Sequence, residues 1–296
     1  MSGTAYKIIM ESLGGDKDFS LFREGKLTQK DYFERVSHKK DSLTTGEFNE
    51  DMLNLSARMP KDPVKYADNI LSDLFEKGII PSKNYNRDKF SEIEDLIASN
   101  FMHEGRKTFI FPEEARIIFA LADICKPKKI AFMGSYYAFW AIWILPVLPA
   151  ESTVWLMDID HSSQALAKEN IQKLSLHSEV EIIHSVEDAI KDIRSVSDLD
   201  WIVLDAEGPK MGVDDEDMID KAIYYPMIRE GYSSLKENGL MIAHNILLEN
   251  TTNSPYIEDK IIWNKRMFRK FIPFISENFK DFVHFESTEG MGIAKK

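Results

Sequence analysis

The sequence predicts an α/β fold: a mostly parallel sheet of seven strands that closes with an antiparallel C-terminal hairpin, preceded by a helical region. Three observations predict it. From residue 106 onward, short β-rich runs alternate with helix-length segments, which is typical of βαβ units. The last two β-rich runs are joined by a short Ser-Thr-Glu-Gly turn, which favours a hairpin. Residues 1–105 are polar and show helical periodicity instead of strand periodicity.

The region 1–105 is predicted to form several short helices. The clearest begins at Asp62 and Pro63, a capping residue followed by proline at the first helical position, and it ends at Gly78. Weaker helical patterns cover residues 29–38, 47–59 and 88–101. Because their apolar faces need a surface to cover, we expect these helices to form a cap or lid on a core that spans residues 106–296.

The core begins with a predicted helix from Pro112 to about Ile124. The predicted strands that follow cover residues 129–133, 153–158, 180–183, 201–205, 240–243, 282–286 and 291–294. Before the last two strands, the apolar face of residues 261–279 predicts one long helix, which Pro273 should kink because proline lacks a backbone N–H.

Composition excludes several classes of protein. Hydrophobic residues make up 44% of the 296 residues and charged residues 29%, which indicates a globular chain. The net charge of −12 repels phosphate backbones, so we expect no nucleic-acid partner. The N-terminus does not resemble a signal peptide, and no run approaches the roughly 18 apolar residues of a membrane span. With Cys125 as the single cysteine, we expect a cytoplasmic protein.

Polar residues follow the predicted strands at the edge where ligands bind in open parallel sheets. Gly134 follows the first strand and would allow a ligand close to the backbone, and Asp158 ends the second, where a carboxylate can accept both hydroxyls of a ribose. Asp205, His244 and Asn245 end two further strands and should be neighbours. His103, His177 and His184 have no matching partners and are interpreted as structural or exposed.

From Thr108 to Lys296 the sequence resembles the class I S-adenosylmethionine-dependent methyltransferases, specifically the catechol and caffeoyl-CoA type O-methyltransferases. The resemblance rests on the order of six landmarks: FPEE at 111–114, the Gly134 loop, VWLMDID, DLDWIVLDAEG, LKENGLMIAHN and the terminal EGMGIAKK. It implies a Rossmann-like core and S-adenosylmethionine as cofactor. It also implies a small-molecule methyl acceptor, a place in secondary metabolism and a homodimer.

The same resemblance assigns the cofactor site. Gly134, Tyr136 and Ile110 would lie beside the methionine part of the cofactor. Asp158 would bind the ribose and Ile159 would pack on the adenine. The turn at Val186 and Glu187 would edge the base, and Asp205 would lie near the cofactor.

The resemblance also implies a divalent metal site formed by Asp205, His244 and Asn245. His244 stands where the family has a carboxylate, and imidazole favours softer ions than magnesium. Magnesium dependence should therefore be weak, and three roles stay open for His244: metal ligand, general base, or a hydrogen-bonded histidine without a metal. The resemblance implies a catalytic lysine three residues after Asp205, where this chain has Gly208. Lys210, two residues further on, is the candidate for that role.

Two functions from different classes follow. The first is an O-methyltransferase acting on a small-molecule hydroxyl. The second is a non-catalytic or regulatory protein that retains the fold, which is supported by Phe132, Ala138 and Trp140 at positions where the family has a carboxylate, a glycine and a hydroxyl. Gly134, Asp158 and Asp205 favour the first.

Overall fold

A computed structural model of the chain describes residues 3–175 and 179–296. His177 lies outside the described residues. The helices span α1 Ala5–Leu13, α2 Lys17–Arg23, α3 Gln29–Ser37, α4 Lys40–Leu43, α5 Glu50–Ser56, α6 Pro63–Glu76, α7 Arg87–Asn100, α8 Pro112–Cys125, α9 Phe139–Ile144, α10 His161–Leu174, α11 Ala189–Asp192, α12 Tyr224–Gly231, α13 Pro255–Met267 and α14 Phe271–Asn278. The strands span β1 Lys129–Met133, β2 Thr153–Met157, β3 Glu181–Ser185, β4 Leu199–Leu204, β5 Leu235–His244, β6 Asp281–Phe285 and β7 Met291–Lys295.

The strands form one seven-stranded sheet in the order β3-β2-β1-β4-β5-β7-β6. The first five strands are parallel, and β7 pairs antiparallel with both β5 and β6. This confirms the predicted fold class. The order reverses between β1 and β4, so the chain leaves a crevice at the carboxyl ends of these strands, where ligands bind in open α/β sheets.

Helices cover both faces of the sheet because side chains along a strand alternate between faces. On β1, Ile130 and Phe132 pack on the face covered by α6 to α10, while Ala131 and Met133 pack on the face covered by α11, α12 and α14. The first helices form a third cluster, with Ile9, Phe22 and Tyr32 in its interior. The helices of region 1–105 therefore divide between the sheet core and a separate N-terminal cluster.

Local sequence explains where α6 and α5 begin. Asp62 accepts a hydrogen bond from the Lys65 backbone, and Pro63 is the first helical residue, as predicted. The helix predicted over 47–59 is shorter, because the Asn49 side chain caps it by accepting from the Met52 backbone. Its first residue is therefore Glu50.

Two other predicted elements differ from the structure. The strand predicted at 240–243 is longer in the structure and begins at Leu235. Its first half was not predicted because residues 236–238 are polar and give no strand pattern. The helix predicted over 261–279 is interrupted at residues 268–270 and is not kinked at Pro273. Pro273 lies in the first turn of α14, where a backbone N–H has no helical partner and its loss costs little. No helix in the described ranges is long and apolar enough to cross a membrane.

Candidate active site

A cleft of about 1310 Å³ opens at the carboxyl ends of the parallel strands. Its lining brings together most of the residues that the sequence singled out: Ile110, Gly134, Tyr136, Asp158, Ile159, Asp205, Lys210, His244 and Asn245. At the end of β3 the cleft is lined by Asp188 and Ala189, and not by Val186 and Glu187. The placement of Val186 and Glu187 at the edge of the base stays a prediction.

Asp158 is held in a fixed orientation at the end of β2. Its Oδ2 accepts a hydrogen bond from the Tyr136 backbone N–H at 2.8 Å, and its Oδ1 accepts from the Asp160 backbone N–H at 3.0 Å. Burial raises the pKa of Asp158, which these two hydrogen bonds oppose. Each carboxylate oxygen still has a lone pair to offer a ligand hydroxyl. Beside it, the apolar side chain of Ile159 is 72% exposed and suited to a flat ligand group.

The turn after β1 is compact and strained. Gly134 has φ of +87°, and a Cβ on it would lie 2.4 Å from both the Cα and the backbone N of Ala206. The glycine is thus required by the approach of the chain that follows β4, and not by a ligand alone. Tyr136 and Ala138 also have positive φ, at 48° and 68°, which costs a residue with a Cβ roughly 1–2 kcal/mol. Ala138 therefore occupies a backbone conformation that glycine would adopt more easily.

The other aromatic residues of this segment belong to the core. Phe132 and Trp140 are buried, and the Trp140 ring packs edge-on against His244 with centroids 5.0 Å apart. Tyr136 is the partly exposed member and lines the cleft. His103 contacts Tyr137 and His184 contacts Gln164, and both histidines lie outside the lining of the cleft.

His244 is buried between two carboxylates. Its Nδ1 lies 3.3 Å from Asp205 Oδ1, and its Nε2 lies 3.2 Å from Glu114 Oε2. Burial alone would lower the pKa of His244, but the two carboxylates outweigh it and raise the pKa to about 10. Burial would likewise raise the pKa of Asp205, yet the His244 imidazolium holds it below its usual range. Both ring nitrogens of His244 therefore have a carboxylate partner, so each is already engaged by the protein.

We expect His244 to keep both ring protons at neutral pH and to lose one with a pKa of about 10. Because this pKa lies above the value of about 6.5 for an unfolded histidine, the associated stability is fully present below pH 6.5 and is lost as the pH rises toward 10. Imidazole ¹H–¹⁵N spectra, with His244→Gln for assignment, measure this directly. His184, whose pKa burial lowers to about 4, provides a neutral ring in the same spectrum. A neutral His244 ring at pH 7.5 would contradict the prediction.

Two lysines line the cleft near Asp205, and they differ in their surroundings. Lys210, the lysine that the sequence favoured, has a side chain 69% exposed and an ion pair with Glu207 at 3.3 Å. Lys221, which the sequence analysis missed, has a side chain only 10% exposed and lies 3.6 Å from Asp205 Oδ1. No amphipathic pattern marks Lys221, because a single 3₁₀ turn, Asp220–Ile223, brings it to the strand ends.

The opposite wall of the cleft is charged. Lys260 lies 3.1 Å from Glu289 Oε2 and 3.3 Å from Asp51 Oδ1, and Tyr256 donates a hydrogen bond to Asp51. Asp51 belongs to α5, so the N-terminal cluster contributes directly to the cleft. In the described part of the chain, no group of three or more histidine, cysteine and carboxylate side chains is placed to hold a metal ion.

Comparison with known proteins agrees with this architecture. The O-methyltransferase family matches residues 84–266, more than half of the chain. Catechol O-methyltransferase of Niastella koreensis is 21% identical over 208 residues, which cover 67% of this chain and 88% of that protein.

Two solved structures share the fold. The SAH-bound methyltransferase PaMTH1 of Podospora anserina superposes with a TM-score of 0.52 at 13% identity, covering 75% of this chain and 94% of that one. The O-methyltransferase TomG of Streptomyces achromogenes, solved with SAM, gives a TM-score of 0.50 at 13% identity, with 71% and 90% covered. On the family match, this chain belongs to the O-methyltransferase family.

Proposed function

We propose that this protein transfers a methyl group from S-adenosylmethionine to a hydroxyl of a small molecule. One observation carries the proposal: the Asp158 carboxylate is fixed by two backbone N–H groups beside the exposed Ile159, inside an open cleft. This pair suits a ribose and a flat base. The SAM-bound and SAH-bound structures of TomG and PaMTH1 support the choice of nucleoside.

When bound, S-adenosylmethionine supplies a methyl group activated by a sulfonium: the acceptor oxygen forms the new C–O bond, the electron pair of the C–S bond stays on sulfur, and the hydroxyl proton passes to water. The protein has to hold the two partners in line, which supplies much of the acceleration. Asp158 orients the nucleoside, while Ile110, Tyr136 and Gly134 line the neighbouring part of the cleft.

The acceptor would occupy the part of the cleft between Asp205 and the charged wall. Because Asp51 of α5 belongs to that wall, we extend the proposal to the N-terminal helices, which would cover the acceptor. Trp263 of α13 also lines this part and offers an aromatic surface to a small ring. Catechol, named for the Niastella koreensis relative, is the first acceptor to test.

Calorimetry with S-adenosylhomocysteine tests the cofactor site. We expect Asp158→Ala to weaken binding by about 1–3 kcal/mol, or roughly 5- to 150-fold, because ligand hydroxyls lose their acceptor. Glu169→Ala, which removes an exposed carboxylate from α10, is the control and should bind as the wild type does. A folded wild-type protein that binds no S-adenosylhomocysteine at millimolar concentration would refute the proposal and favour the non-catalytic alternative.

A further inference from the structure

The Lys221 ammonium lies among the oxygen atoms that the family resemblance assigned to a divalent cation. Its Nζ is 3.0 Å from Asn245 Oδ1 and 3.6 Å from Asp205 Oδ1. It also donates to the Ala206 carbonyl at 3.0 Å, with the Tyr224 hydroxyl at 3.4 Å. Four oxygen atoms, from the segments that follow β4 and β5 and from α12, thus surround one positive charge at the edge of the cleft.

The loop that carries Lys221 is firmly anchored. The Gly208 N–H donates to the Asp220 carbonyl at 3.0 Å, and the Asp220 N–H donates to the Pro209 carbonyl at 3.1 Å. The Asp220 carboxylate accepts a hydrogen bond from Trp263 Nε1 at 2.7 Å. A Cβ on Gly208 would lie 2.0 Å from the Met218 carbonyl oxygen, so the chain here folds tightly against itself. Lys221 is therefore held in place, and is not a surface lysine that happens to swing inward.

The space between the candidate ligands is already filled. Lys221 Nζ lies 3.0 Å from Asn245 Oδ1 and 3.6 Å from Asp205 Oδ1, so a divalent cation would have to displace it. Both ring nitrogens of His244 already face a carboxylate, Nδ1 towards Asp205 and Nε2 towards Glu114. The residues present do not fit a divalent metal ion.

We propose that the Lys221 ammonium takes the place of the divalent cation and donates a hydrogen bond to the acceptor hydroxyl, so that methyl transfer proceeds without a metal ion. This inference rests on the proposed function. An ammonium group has three N–H donors, and two of them go to Ala206 and Asn245 at 3.0 Å. The third reaches the Tyr224 hydroxyl only at 3.4 Å, a long contact that an oxygen atom entering from the cleft would replace.

Such a donor has a clear use during methyl transfer. The acceptor oxygen loses its proton to water, and the negative charge that develops on it is stabilised by a fixed positive charge a hydrogen bond away. Because the ammonium is positioned before the acceptor arrives, no rearrangement is needed at that moment. Lys221 is thereby assigned as a catalytic residue, and Asp205 and Asn245 as the residues that position it.

Binding of Mn²⁺ to the full-length protein tests the inference independently of the acceptor. After purification with a chelator, electron paramagnetic resonance titration of wild type and Asp205→Asn with Mn²⁺ alone is compared. No binding below millimolar concentration, or binding that Asp205→Asn leaves intact, supports the inference. Micromolar binding by the wild type that Asp205→Asn removes would overturn it.

Turnover provides the second measurement, with catechol as the probe and formation of S-adenosylhomocysteine as the readout. Lys221→Met should lower the rate about 100-fold, the usual effect of losing one such donor, while its affinity for S-adenosylhomocysteine stays within about 3-fold of wild type. Lys210→Met removes the same charge from the cleft rim and should lower the rate far less. Equal losses in the two variants, or activity that chelation abolishes and Mg²⁺ restores, would overturn the inference. Failure of the wild type to bind S-adenosylhomocysteine would instead refute the proposed function.

Discussion

Replacing Arg58 by methionine is expected to lower the free energy of unfolding by about 3–5 kcal/mol, the usual cost of removing one partner from a buried ion pair. The Arg58 side chain is 1% exposed and follows α5 directly. Its guanidinium donates to acceptors in the β6–β7 turn and in the loop after β5: the carbonyls of Thr288, Ser287 and Glu249, the Thr251 hydroxyl and the Glu286 carboxylate. Methionine fills similar space but leaves these oxygen atoms without a donor.

Urea denaturation monitored by circular dichroism measures this change. Arg35→Met is the matched control, because the Arg35 side chain is 52% exposed and its ion pair with Asp18 faces solvent, where such a pair contributes about 1 kcal/mol or less. Arg58→Lys should recover little of the loss, since one ammonium group cannot replace a planar guanidinium group that donates to five acceptors. If Arg58→Met is as stable as Arg35→Met, the N-terminal cluster is not anchored to the core through this side chain.

The fold was accessible from the sequence because its signals are local. β1 is a short apolar run followed by glycine, and the start of α6 is marked by Asp62 and Pro63, whose roles depend only on the residues beside them. Pro273 shows the limit of such signals. A proline inside an apolar-faced segment predicts a kink, but the chain can break three residues earlier and place the proline in a first turn, where its missing N–H costs little.

The candidate site was only partly accessible, because its charges are arranged by tertiary contacts. Asp158 and Asp205 end strands, so their place at the cleft follows from topology. The pairing of His244 with Glu114 does not follow from the strand topology, because Glu114 lies 130 residues earlier in the chain and on a helix. Lys221 was missed for a related reason: a segment without an amphipathic pattern folds back and delivers it to Asp205. The residue types predicted a metal site, whereas the contacts of these residues with Lys221 and Glu114 could not be read from their spacing in the chain.

The second large effect is expected at Gly134, where alanine should weaken binding of S-adenosylhomocysteine by about 100-fold, because displacing Asp158 leaves the ligand hydroxyls without their acceptor. An added Cβ would lie 2.4 Å from the Cα and N of Ala206, so one of the two chain segments has to move. Either movement disturbs the cleft, because Gly134 precedes the Tyr136 N–H that holds Asp158, and Ala206 follows Asp205.

Gly78→Ala separates this clash from backbone strain. Gly78 has φ of +70°, comparable to the +87° of Gly134, but a Cβ on Gly78 would meet nothing within 4 Å. Alanine in a left-handed conformation costs roughly 1–2 kcal/mol of stability, so Gly78→Ala should lose about that much and Gly134→Ala, with its clash, should lose more. Calorimetry should then show unchanged affinity for Gly78→Ala and a near-complete loss for Gly134→Ala. Wild-type affinity in a folded Gly134→Ala variant would show that the turn after β1 can open without disturbing Asp158, and that this turn does not determine cofactor binding.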